Sequence, residues 1–182
     1  MHEVVMTKGS PINIDFIKMR DCQHAILREA LWMLGELDGL ETIDIDDSTH
    51  MSEARQLVGS LSTTGNEFID SGFAELKQYA IDERSDQECS SVEIKYTINR
   101  LLNGLHALVA PIDGLIRRIC IISQDSPVST TQGRRLPMIL MAGMSPILQA
   151  VDGIAGELRS LLEANLKGNP GQDFGVYDPD TD

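Results

Sequence analysis

Aromatic side chains are scarce in this chain: one Trp, three Tyr and four Phe among 182 residues. So few ring faces exclude a stacking platform for single-stranded nucleic acid. Basic residues are few as well, 15 against 28 acids, for a formal charge of −13. Such a surface repels phosphate backbones, and no direct nucleic-acid contact is expected. Three cysteines, Cys22, Cys89 and Cys120, stand far apart with no C-x-x-C. That pattern reads as reduced thiols of the cytoplasm and excludes a disulfide framework or a cysteine-built zinc site. No apolar run approaches 18 residues, so no membrane span is expected. Met1 to Ser10 lacks a cationic stretch leading into an apolar one, so no secretory signal is read there. Alternating strand patterns are nearly missing; only Thr42 to Asp46 alternates, and too briefly to count.

What is present is helical periodicity, in four long segments. Ser10-Pro11 sets up the first, because proline is tolerated at the first helical position. Met19, Cys22, Ile26, Ala30, Met33, Leu37 and Leu40 then recur at steps of three and four, and Gly39 ends the segment. The second follows Ser48-Thr49. Ala54, Val58, Leu61, Gly65, Phe68, Gly72, Leu76 and Tyr79 form its stripe, broadened by Leu57, Ile69, Phe73 and Ala80. Gly59, Gly65 and Gly72 each cost roughly 1 kcal/mol against alanine, so they point to close helix approach or a bend. The third opens on Ser90-x-x-Glu93, a capping box. Its stripe of Ile94, Ile98, Leu101, Leu105, Leu108, Ile112, Leu115, Ile119 and Ile122 alternates four and three steps. Pro111 should kink it near Ala107. The fourth runs from about Pro137 to Lys167 through Leu140, Met144, Ile147, Val151, Ile154, Leu158 and Leu161. Pro146 bends or divides it, and Gly168-Asn169-Pro170 stops it.

Four amphipathic helices joined by moderate loops predict an all-α, antiparallel up-down four-helix bundle over 1–170, followed by an acidic disordered tail over 171–182. Charge is uneven along it: residues 1–93 carry 19 acids and 7 bases, residues 94–170 carry 5 and 8. Arg117, Arg118, Arg134 and Arg135 flank the third connection. They either pair with acids of the first connection or form a site for an anion.

Familiar chemical sites fail on their spacing. An EF-hand loop counted from Asp44 puts Thr49 where glycine is needed and Arg55 where the bidentate glutamate belongs. Asp21-x-x-His24 projects opposite the apolar face and His50-x-x-Glu53 sits at a helix start, so neither supplies the inward pair a di-iron bundle requires. No metal and no cofactor are expected, and no phosphate loop or nucleophile elbow occurs. The string from His106 to Ile112 is different. It resembles the H-box of histidine kinases and bundle-type histidine phosphotransferases, which reads His, acid, apolar, variable, polar, Pro, apolar. His106, Leu108, Pro111 and Ile112 match, while Ala107 replaces the acid and Val109 and Ala110 replace polar positions. The resemblance covers seven residues and implies a phospho-accepting His106.

Two apolar features extend beyond the predicted stripes. Leu136 to Met144 is apolar on all sides, with Met138, Met141 and Met144 in it, and methionine adapts to varied partners. Leu31 and Trp32 lie outside the first stripe. Exposed together, these residues mark a protein interface. The expectation is a non-enzymatic cytoplasmic interaction or regulatory protein, a homodimer, with Leu31, Trp32, Met138, Met141 and Met144 at its contact surface. Three other readings stay open at this level: a small-molecule sensor with a pocket between helices, a histidine phosphotransfer protein using His106, and an acidic nucleic-acid mimic that blocks a basic protein.

Overall fold

A computed structural model describes residues 3–7, 10–40, 45–84, 91–125 and 135–167. The fold is an all-α bundle. Helix α1 spans Phe16–Asp38, α2 Ile45–Ser60, α3 Asn66–Arg84, α4 Ser91–Asp125 and α5 Arg135–Lys167. One π turn, Leu61–Gly65, joins α2 to α3 directly, so the two make a single rod. Pro111 and Pro146 lie inside α4 and α5, and neither helix is divided.

The amino-terminal expectation is corrected. Ser10 and Pro11 do not start a helix. Strand β1, Glu3–Thr7, pairs antiparallel with β2, Ser10–Ile14, and Thr7 lies opposite Ser10. The hairpin packs against α3 and α5. Helix α1 starts instead at Asp15, whose carboxylate accepts a hydrogen bond from the Lys18 amide at 2.9 Å. An acid in this place satisfies one of the free amides of the first turn and complements the positive end of the helix dipole. Gly39 closes the helix as read. Helix α2 begins three residues before Ser48. The capping serine Ser90, Cys89 and the acidic tail lie outside the described residues.

Contacts between helices follow a fixed register. Lys18 meets Glu157 at 2.7 Å, and Cys22 and Met33 lie against Gly153 and Gly143, so α1 and α5 run in opposite directions. Arg20 meets Asp70 while Arg55 donates to the Leu37 carbonyl at 3.1 Å, so α1 also opposes the α2–α3 rod. Gly65 faces Leu108 and Gly72 faces Leu101, which sets α4 against the same rod. The core is formed by the predicted stripes, with Met33, Leu37, Ile98, Leu101, Leu115, Leu140 and Ile147 fully buried. Beyond the π turn the deepest positions are Ile69 and Phe73, at 1% and 0% exposure, whereas Phe68 is only partly buried. A π turn takes up one residue more than an α turn, which re-aims the stripe by one position.

Two polar knots interrupt the apolar seams. Gln23 is buried at 2% exposure, and its Nε2 donates to Asn66 Oδ1 at 3.0 Å and Asp70 Oδ1 at 2.8 Å. Arg20 Nη1 donates to Gln23 Oε1 at 3.1 Å and to Asp70 at 2.6 Å. In the second knot, the fully buried Thr97 donates to Glu75 Oε1 at 2.8 Å, as does the Tyr79 hydroxyl at 2.9 Å, and Arg100 pairs with the other carboxylate oxygen. Each knot satisfies its buried polar atoms, and a slipped register would leave them unpaired.

Both carboxylates are held below the usual range. Hydrogen bonding from Gln23, with help from Arg20, outweighs burial at Asp70. At Glu75 burial pushes upward, and the hydrogen bonds from Thr97 and Tyr79 together with Arg100 overcome it. Groups with lowered folded pKa stabilise the fold above the unfolded value, about 4, and lose that contribution as pH falls through the folded value. Asp70→Asn should therefore shrink the drop in urea midpoint between neutral and acid pH. The change is at most about 1 kcal/mol, because the aspartate is half exposed. A variant that loses as much stability in acid as the parent would contradict this account.

Candidate protein-interaction face

Helix α5 has no formal charge from Leu136 to Val151. One side of that stretch builds the core through Leu136, Ile139, Leu140, Met144, Ile147, Ala150 and Val151. The other side stays uncovered within the chain. Met138 is 65% exposed, Met141 55% and Leu148 41%, large values for apolar side chains of this size. Ala142, Ser145 and Gln149 complete the outer arc and are also exposed. By length and composition α5 is apolar enough to cross a bilayer, but half of its most apolar window is buried in the bundle. A helix that is apolar nearly all round needs cover on its second side too.

Helix α1 places Trp32 beside this arc. Lys18, Cys22 and Met33 contact α5, while Arg20 and Gln23 contact α3. At 100° per residue Trp32 falls on the α5 flank and Leu31 on the α3 flank. The lock between Met33 and Gly143 fixes the level. Gly143 is required there, since a Cβ would fall inside the Met33 Cγ and Sδ positions. Trp32, 41% exposed, thus stands level with the middle of the charge-free stretch. Leu31 is exposed at 55% but belongs to a separate side of α1.

The sequence-based set is thereby revised. Met138 and Met141 lie on the outer arc of α5, with Trp32 at the α1 edge of that arc and Met141 toward its far edge. Met144 is a correction: it is 3% exposed, a core residue of the four-three stripe, and contributes nothing to an outer face. Leu31 is exposed but set apart. Leu148 was not in the set and joins the surface. Its signal was the absence of charge as far as Val151, which a search for the methionine run alone passes over.

Among the described arginines, Arg117 and Arg118 take separate partners. Arg117 pairs with Asp113 on its own helix at 2.9 Å, and Arg118 pairs with Glu53 of α2. One residue apart on α4, they leave the helix about 100° apart. Arg135 is exposed at the start of α5, and Arg134 lies outside the described residues. The pair with Glu53 ties α2 to α4, and Glu53 is a residue of α2 rather than one of the acids of the first connection. His106 is exposed on the outer side of α4, between buried Leu105 and Val109. Cys22 is half buried under Gly153, and burial pushes its thiol upward, so it is a weak nucleophile at neutral pH. Among the described residues no group of three or more His, Cys, Asp or Glu converges. Comparison of the chain with protein-family models, with curated proteins and with solved structures found no match to any of them.

Proposed function

We propose that this protein is a non-enzymatic interaction module that binds a protein partner through the outer face of α5 and Trp32. The observation that carries this reading is the exposure of Trp32, Met138, Met141 and Leu148 around a charge-free stretch of an otherwise strongly acidic chain. Contact energy at interfaces concentrates in a few large side chains, tryptophan foremost, within a ring of weaker contacts. Methionines beside it adapt to the opposing shape. Burying Trp32 contributes about 1.5–3 kcal/mol, so its loss weakens binding roughly tenfold or more. The acids of the first 93 residues keep other contacts weak and aid solubility.

The test measures assembly and stability together. Trp32→Ala and Met141→Asp should each weaken self-association in sedimentation velocity, or partner retention in affinity pull-down, while their urea midpoints stay close to the parent's. Both sites face outward, so folding tolerates the changes. If assembly, retention and stability are all unchanged in both variants, the surface binds nothing and the reading is wrong.

A further inference from the structure

We propose that the occupant of this face is a second copy of the chain, with α5 lying antiparallel across α5 about a twofold axis at Ser145. The inference rests on the interaction reading above and deepens it by naming the partner. Three features of α5 meet in this arrangement. First, the exposed arc is asymmetric in charge at its ends. Arg135 precedes it and Asp152 follows it, both exposed. A twofold axis at Ser145 sets position 138 opposite position 152, so Arg135, one turn away, reaches the second copy's Asp152, and the pair forms twice. Second, the exposed apolar side chains come together. Met141 and Leu148 leave α5 only about 20° apart, and the axis sets Met141 of one copy beside Leu148 of the other, so both are covered twice over. Third, two bodies of charge −13 repel, and a stretch of 16 residues without formal charge offers them a neutral route to contact. An isologous contact of this kind is the commonest oligomeric arrangement of soluble proteins.

The experiment is site-directed cross-linking of the full chain. Cys22, Cys89 and Cys120 are first changed to serine, and sedimentation confirms that this background assembles as the parent does. Ser145→Cys should then give a disulfide-linked dimer on mild oxidation, because the residue meets itself at the axis. Met138→Cys alone should remain unlinked, whereas a mixture of Met138→Cys with Asp152→Cys should link. Arg135→Asp and Asp152→Arg should each weaken the dimer about tenfold, since the twofold breaks the pair twice, and the double reversal should restore it. Linking of Met138→Cys to itself would show another geometry and overturn the proposal. A parent chain that is monomeric at its highest soluble concentration would also overturn it. Should that monomer still lose a retained partner on Met141→Asp, only the choice of occupant has failed and the interaction reading stands.

Discussion

Phe73→Ala is expected to lower the free energy of unfolding by about 3–5 kcal/mol. Phe73 is fully buried at the turn of the stripe that follows the π segment, and the Arg20 guanidinium lies 5.9 Å from its ring centroid. Truncation removes the ring from the core and leaves a cavity that the two helices beside it cannot close. It also strips a cation–π contact from an arginine that holds the Gln23–Asp70 knot. For a domain of this size the total is about 5–15 kcal/mol, so one residue would remove a large share. Urea denaturation reads the result as a lower midpoint with the slope retained. A loss under about 1 kcal/mol would show that the site collapses and that the seam is not tightly packed.

Gly143→Leu should cost about 3 kcal/mol or more, by overpacking rather than by a cavity. Met33 is fully buried over Gly143 and has no exit toward solvent. Gly35, on the same pair of helices, has open space around its Cα, so Gly35→Ala should stabilise by about 0.5–1 kcal/mol through helix propensity alone. The two glycines thus answer the same kind of change with opposite signs. Met33→Ala in the Gly143→Leu background should recover part of the loss, because the added side chain then occupies the vacated space. If Gly143→Leu is harmless, α1 and α5 are not held at the close separation described.

Most of the helical core was legible because it depends on period alone. Ile98, Leu101, Leu105, Ile112 and Leu115 repeat on one face of α4, and burial follows that face. Three features were not legible, each for a physical reason. The hairpin of Glu3 to Ile14 has only five residues per strand, and Pro11 signals a helix start as readily as a strand end. The π turn leaves no mark in composition, since Leu61-Ser62-Thr63-Thr64-Gly65 fits an α pattern as well. Met144 shares its residue type with Met138 and Met141, but its four-residue step from Leu140 and three-residue step to Ile147 place it inside. The face itself was half legible. Trp32, Met138 and Met141 followed from their failure to fit a stripe. That Trp32 rather than Leu31 shares the α5 surface depends on which flank of α1 meets α5, a matter of tertiary packing.

The π turn bears on how this chain tolerates a change in length. Ser62 and Thr63 both donate their hydroxyls to the Gly59 carbonyl, at 2.9 Å each, where the backbone ladder changes step. A wide turn of this kind holds one residue beyond what an α-helix needs. Removing Ser62, Thr63 or Thr64 lets the coil tighten to ordinary pitch while everything before and after it keeps its aim. The same deletion in the middle of α4 would swing the remainder of that helix by about 100° and carry its leucines out to water. Within its long helices, the molecule carries a spare link at one place only among the described residues, on the seam where α2 becomes α3.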